Sequence, residues 1–242
     1  MNNPLTEQYD LIQKQYLESL PQLINDTIGK DCYIIGGSID ADYCTPRSYG
    51  ERPRNEKFYI QLNHHILRRQ QQPCDWLIAR GTSGMQPTTF KCLNGVLQRE
   101  VKYISCAVNG TSYSGWCKED KLIFPFAEQC YLKTNPFHPC LEWCNQLYHE
   151  IDNTPLIGMM ALKMAMMMPF SKITLIGFDF YADKDGNTTN IVNNHYIEKQ
   201  LDWFKRMYNS DFRIEVDDRL AEVIKIPDDK RGITPTYEVK NN

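Results

Sequence analysis

Apolar positions along this chain keep two rhythms, helical spacing in some stretches and short continuous runs bounded by turn residues in others. Between Thr6 and Ile28, Tyr9, Leu11, Ile12, Tyr16, Leu17, Leu20, Leu23 and Ile24 follow a mostly helical period, which predicts an amphipathic leading helix with Pro21 as a break or a new first turn. Gly29 and the Lys30-Asp31 pair end it. Cys32 to Asp40 reads as a buried strand running into a tight Gly36-Gly37-Ser38 turn. Ala41 to Lys57, polar and broken by Pro46, Gly50 and Pro53, reads as a loop. Further strands are predicted at Phe58 to Asn63, Cys74 to Ala79, Tyr103 to Val108 and Leu122 to Phe126, and a helix around Leu141 to Glu150.

The second half repeats the alternation more sharply. Pro155-Leu156-Ile157-Gly158 opens a methionine-rich run from Met159 to Met168, which predicts a buried helix, since unbranched thioethers fill irregular core space. Lys172 to Tyr181 is rich in β-branched and aromatic residues and predicts a strand closing on the acidic turn Asp183-Lys184-Asp185-Gly186-Asn187. A terminal helix beginning near Asn194 shows Tyr196, Ile197, Leu201, Phe204 and Tyr208 on one face, and Phe212 to Val216 is a last strand. Strands alternating with helices predict an α/β fold, a Rossmann-like parallel sheet flanked by helices. In such sheets ligands bind beyond the carboxyl ends of the strands, where Tyr181 and His195 would both lie.

Composition narrows the partners. The 242 residues, 42% of them hydrophobic, suffice for one substantial core: a single α/β domain over 1–226 followed by a weakly ordered tail over 227–242. A net charge of −3 without a long Lys/Arg run argues against nucleic acid or an anionic membrane as partner. The short clusters Arg52-Pro53-Arg54 and Arg68-Arg69 read as solvated surface first and as phosphate contacts second. No basic segment followed by an apolar one stands after Met1, and no window holds the roughly 20 apolar residues of a membrane span. A cytoplasmic location and reduced thiols are therefore expected, and nine cysteines, an odd number, cannot form a complete intrachain framework. Cys140 and Cys144, with His138 and His149 nearby, lack the second ligand cluster of a structural zinc site, so no metal site is assigned.

The small-Gly helix with Gly158, the strand ending Gly177-Phe178-Asp179-Phe180-Tyr181 and the downstream His195-Tyr196 pair resemble the second half of a sialyltransferase. The likeness is to the bacterial type, glycosyltransferase family 42, with a fainter echo of the animal sialyl motifs. Gly158 and Gly177 stand nineteen positions apart, the spacing of the corresponding family glycines. The resemblance implies a GT-A-like single-domain sialyltransferase fold and an inverting, metal-independent transfer of sugar from a CMP-sugar donor of the CMP-sialic acid type. The acceptor would be a hydroxyl of a glycan or another molecule, and no cofactor is needed. It assigns the general base to His195, which suits the task because a free imidazole has a pKa near 6.5, and leaving-phosphate hydrogen bonding to Tyr181. Gly36, Gly37, Ser38, Asn63, Gly158 and Asp179 inherit donor-binding positions, Asp179 by orienting loop amides.

Three departures separate the chain from that family. Leu156 and Ile157 stand where hydroxyl residues precede the motif glycine, a second tyrosine is missing between Ala182 and Asn190, and the interval from Tyr181 to His195 is shorter. A non-catalytic nucleotide- or sugar-binding module of the same fold is therefore the alternative. Asp40-Ala41-Asp42 follows the glycine turn, where carboxylates cap a helix more naturally than they bind a metal. An α/β hydrolase is disfavoured because Gly81-Thr82-Ser83-Gly84 lacks the spacing of a nucleophile elbow. Acceptor, linkage and oligomeric state, a homo-oligomer included, stay open.

Overall fold

The computed structural model describes residues 20–37, 53–62, 72–81, 102–108, 147, 149–153, 155–182, 191–192 and 195–226, with backbone only at 79–81, 104–108, 191–192 and 195. Six strands, β1 (Asp31–Ile35), β2 (Lys57–Leu62), β3 (Trp76–Gly81), β4 (Tyr103–Val108), β5 (Lys172–Ile176) and β8 (Ile214–Val216), form one sheet in the order β4-β3-β2-β1-β5-β8. Every neighbouring pair in it is parallel. A separate antiparallel ribbon pairs β6 (Ile191–Val192) with β7 (His195–Tyr196). Ile34 faces Leu175 in register across β1 and β5, so the segments at Tyr33, Tyr59, Trp76 and Thr174 share one sheet as the sequence predicts.

Parallel strands buried on both faces read as continuous apolar runs, which is why Cys32-Tyr33-Ile34-Ile35 carries no polar alternation. Cys32, Ile34, Phe58, Ile60, Trp76, Ile173 and Leu175 point to one face and join the main core. Tyr33, Ile35, Tyr59 and Ile176 form a smaller cluster on the other, with the Tyr33 and Tyr59 rings stacked at 5.5 Å. The buried apolar side chains of the α-helices among the described residues lie in the main core.

The methionine run folds as α1 (Ile157–Met166), whose Met159, Met160, Leu162 and Met164 are buried against the sheet. Each such side chain contributes about 1.5–3 kcal/mol of burial free energy. Helix α1 ends where Pro169 forbids continuation, and Arg213 caps its last carbonyl and those of the turn that follows. The guanidinium donates to the carbonyls of Met166 (2.8 Å), Met168 (3.0 Å) and Phe170 (3.4 Å), and to both Asp211 carboxylate oxygens at 2.9 and 2.6 Å. That hydrogen bonding holds the Asp211 carboxyl below its ordinary range and raises Arg213. Arg213→Ala is expected to lower unfolding free energy by about 2 kcal/mol, since it strips charge-assisted bonds from several carbonyls at once. A urea melt checks this, and an unchanged midpoint would refute the capping role.

Helix α2 (Ile197–Ser210) buries Ile197, Leu201, Trp203 and Phe204 on one face. The Trp203 indole donates to Glu150 at 2.8 Å and Lys163 donates to the same carboxylate at 2.7 Å, tying α2 to α1 and to the helical turn that ends at 151. Burial pushes the Glu150 pKa up, but these two hydrogen bonds together with the Lys163 and Arg206 charges outweigh it and the net direction is down. At the amino end of β2, Arg54 of the Arg52-Pro53-Arg54 cluster pairs with the buried Asp75 at 2.7 Å and lies over the Tyr59 ring at 4.7 Å, a structural role.

Several boundaries differ from the sequence reading. Strand β5 stops at Ile176, because Gly177 turns the chain with φ 70°. The terminal helix starts at Ile197, its predicted first turn being taken by the β6–β7 ribbon. A further helix, α3 (Asp218–Ile224), follows β8. The predicted strand at Leu122 to Phe126 and the tail over 227–242 lie outside the described residues. Among the described residues no helix is long and apolar enough to cross a membrane.

Candidate functional site

The strand order reverses at β1: β2, β3 and β4 lie on one side of it, β5 and β8 on the other. Parallel strands whose connections leave in opposite directions open a crevice at their carboxyl ends. Gly36 ends β1 there, donating its amide to the Ile176 carbonyl at 2.7 Å, and Gly177 ends β5. The two backbones abut so closely that a Cβ on Gly36 would fall inside 3.0 Å of the Gly177 carbonyl. Phe178 follows and wedges its ring between neighbours: a Cβ on Gly158 would also fall inside 3.0 Å of it, and one on Gly36 would lie 2.9 Å from it. Gly36 and Gly158 therefore have a packing requirement independent of any ligand.

Beyond the wedge the chain makes a tight turn to Ala182. Phe180 and Tyr181 both occupy the left-handed region, at φ 49° and 59°. That conformation costs a non-glycine residue roughly 1–2 kcal/mol. Asp179 helps to hold it, its Oδ1 accepting the Tyr181 amide at 2.9 Å and its carbonyl accepting the Ala182 amide at 2.8 Å. Phe180 turns inward against Phe204 of α2, 5.8 Å between centroids, whereas Tyr181 is 51% exposed at the sheet's carboxyl edge. The sequence reading buried Asp179 within the strand. It instead lies past the strand end, half-buried, with its Oδ1 accepting the Tyr181 amide.

Helices α1 and α2 each run back toward the amino edge of the sheet before the next strand, so both begin at this same edge. Helix α1 starts after Leu156 without a side-chain cap, and the buried Gln200 of α2 accepts the Leu156 amide at 3.2 Å. On the rim Lys199 pairs with Asp152 at 2.5 Å and sits 5.7 Å from the Tyr196 ring centre. That hydrogen bond and the lysine charge hold the exposed Asp152 carboxyl below its usual range. His195 is placed by its backbone in β7, opposite Val192 and one residue before the α2 N-cap at Tyr196.

The topology thus brings Gly36, Gly37, Gly158, Asp179, Tyr181 and the His195 backbone to one sheet edge. Ser38 and Asn63 lie outside the described residues, as do His64, His65, Cys140 and Cys144. Compared with solved structures, the chain superposes on the sialyltransferase CstII from Campylobacter jejuni, in complex with cytidine-5'-monophosphate, at a TM-score of 0.50 over 82% of this chain and 85% of that one. The fold is that of CstII. Sequence identity over the match is 13%. A variant of sialyltransferase CST-II in complex with CMP matches equally, at a TM-score of 0.50 and 15% identity over 81% of this chain and 85% of that one. No protein-family model and no curated protein matches the sequence.

Sequence reasoning missed Phe178 as the wedge and Asp217 as a brace. Asp217 is fully buried and caps α3, its Oδ1 accepting the Leu220 amide at 2.8 Å while Oδ2 accepts the Gly177 amide at 2.7 Å. The signal was present: an aspartate ahead of Leu220, Val223 and Ile224 at helical spacing is an N-cap pattern.

Proposed function

We propose that the chain is an inverting glycosyltransferase of sialyltransferase type, which moves a sugar from a CMP-sugar to an acceptor hydroxyl. The acceptor oxygen attacks the anomeric carbon as the bond from that carbon to the CMP phosphate breaks. His195 takes the hydroxyl proton, and the Tyr181 hydroxyl donates a hydrogen bond to the departing phosphate. The start of α1, which carries no side-chain cap, offers backbone amides to the donor, and the resemblance adds donor contacts at Gly37, Ser38 and Asn63. The observation that carries the reading is the exposed Tyr181 on a strained turn at the strand-order reversal, in a fold shared with sialyltransferases solved with CMP. Sparsely populated backbone conformations cluster at sites where function fixes them.

Thermal shift with CMP, UMP, GMP and AMP tests the donor. CMP at about 100 times its dissociation constant raises stability by about 2.7 kcal/mol, and the other nucleotides by less at the same concentration. A larger shift with UMP or GMP would refute the CMP assignment. Because protein hydroxyls serve the leaving phosphate in this scheme, transfer is expected to persist in excess chelator. Loss restored by magnesium or manganese would remove the metal-independent mechanism.

One observation favours the binding-module reading. Leu156 and Ile157 pack against the main core at the head of α1, where they offer no hydroxyl to a donor. CMP binding without transfer to any acceptor would support that reading over the enzyme.

A further inference from the structure

We infer that Asp217 and Arg219, just beyond β8, are positioning residues that clamp the Tyr181 turn at both ends and so set the aim of the Tyr181 hydroxyl. The inference rests on the transferase reading above. Asp217 holds the chain where it leaves β5 for the turn, through the 2.7 Å hydrogen bond from the Gly177 amide. Arg219 holds the last residue of the turn, donating to the Ala182 carbonyl at 3.4 Å. The brace is fixed to the sheet, because the Asp217 amide donates to the Leu175 carbonyl at 3.2 Å, one step before the end of β5.

Two successive left-handed residues persist only where their surroundings over-determine them. Inside the turn, Asp179 and the Phe180–Phe204 packing contribute. From outside it, the two side chains of one short segment grip the backbone on either side of Phe180 and Tyr181. A turn released at either end lets the hydroxyl drift, and an ångström of misplacement lowers a rate more than it weakens binding. Neither Asp217 nor Arg219 needs to touch substrate for this.

The test compares full-length Arg219→Ala, Arg219→Lys and Asp217→Asn with Arg213→Ala, which loosens the opposite edge of the sheet. Each is measured for hydrogen exchange of the 177–182 amides, thermal midpoint, and kcat and KM for a CMP-sugar. Arg219→Ala is expected to speed exchange of those amides about tenfold, as local opening without global unfolding does. It should also lower kcat roughly 10–100-fold with donor KM little changed, and Arg219→Lys should recover part of the loss. Asp217→Asn keeps one acceptor but turns an amide group toward a donor, so it should act in the same direction. If it does not fold, the Arg219 pair carries the test, since that side chain is partly exposed.

Unchanged exchange and kcat in Arg219→Ala would overturn the proposal, as would a loss that merely tracks the thermal midpoint as in Arg213→Ala. Should the unaltered protein neither bind CMP nor transfer sugar, the transferase reading and the aiming role fail together. The clamp itself is then still decided by exchange at 177–182.

Discussion

His195→Ala is expected to lower turnover roughly 10²–10⁴-fold while CMP affinity stays near that of the unaltered protein, the pattern of a lost general base. In the proposed reaction the acceptor hydroxyl sheds its proton as it attacks and the imidazole takes it only in the transition state, so ground-state binding would not depend on it. His195 stands immediately before α2, at the same sheet edge as Tyr181. Tyr181→Phe should cost less, because one hydrogen bond to the leaving phosphate is lost while other donors remain. Its fold should survive, since the ring is kept and the hydroxyl lies on a half-exposed side chain. Steady-state kinetics and calorimetric CMP titration separate the two effects. An alanine variant turning over at the normal rate would return His195 to an ordinary helix-leading residue.

The second large effect lies in the glycines at the sheet edge. Gly36→Ala is expected to destabilise by about 3 kcal/mol or more, because its methyl meets the Gly177 backbone carbonyl, which neither rotates nor retreats without opening β1 from β5. Gly158→Ala should cost about 1–3 kcal/mol, because the three atoms nearest its methyl all belong to the Phe178 ring, a side chain that can shift. The difference has a clean test. Phe178→Leu in the Gly158→Ala background should recover part of the lost stability, and in the Gly36→Ala background it should recover little. Denaturant melts of the singles and doubles give the coupling. Equal rescue in both backgrounds would show that the carbonyl contact at Gly36 does not limit stability.

Much of the sheet was legible because its strands are buried on both faces, which leaves continuous apolar runs such as Tyr33-Ile34-Ile35 and Ile173-Thr174-Leu175-Ile176. The methionine run was legible as core for the same reason, and α1 bears this out. The end of β5 was not. Phe178, Phe180 and Tyr181 have strand-forming side chains, but packing against Gly36 and Gly158 and the bond to Asp217 override that preference. Tyr181 could be picked out because it closes a recognisable Gly-Phe-Asp-Phe-Tyr sequence. The packing need behind Gly36 and Gly158 could not, because it depends on a ring that reaches them only in the folded sheet. Arg219 was invisible in another way: a charged residue in a short helix reads as surface until its partner, the Ala182 carbonyl, is seen.

The central place of β1 also bears on how the chain is made. One edge of β1 pairs with β2, but the other waits for β5, and the Ser171 hydroxyl that bonds Asp31 beside their junction is 140 residues further along. At roughly 5–20 residues per second of synthesis, that edge stays unpaired for roughly 7–30 s after β1 leaves the ribosome. An apolar strand open on one side for so long is a template for another nascent chain. Chaperone supply and slowed translation at low temperature should therefore govern the yield of soluble protein, and nascent chains stalled before Lys172 should be the ones that aggregate.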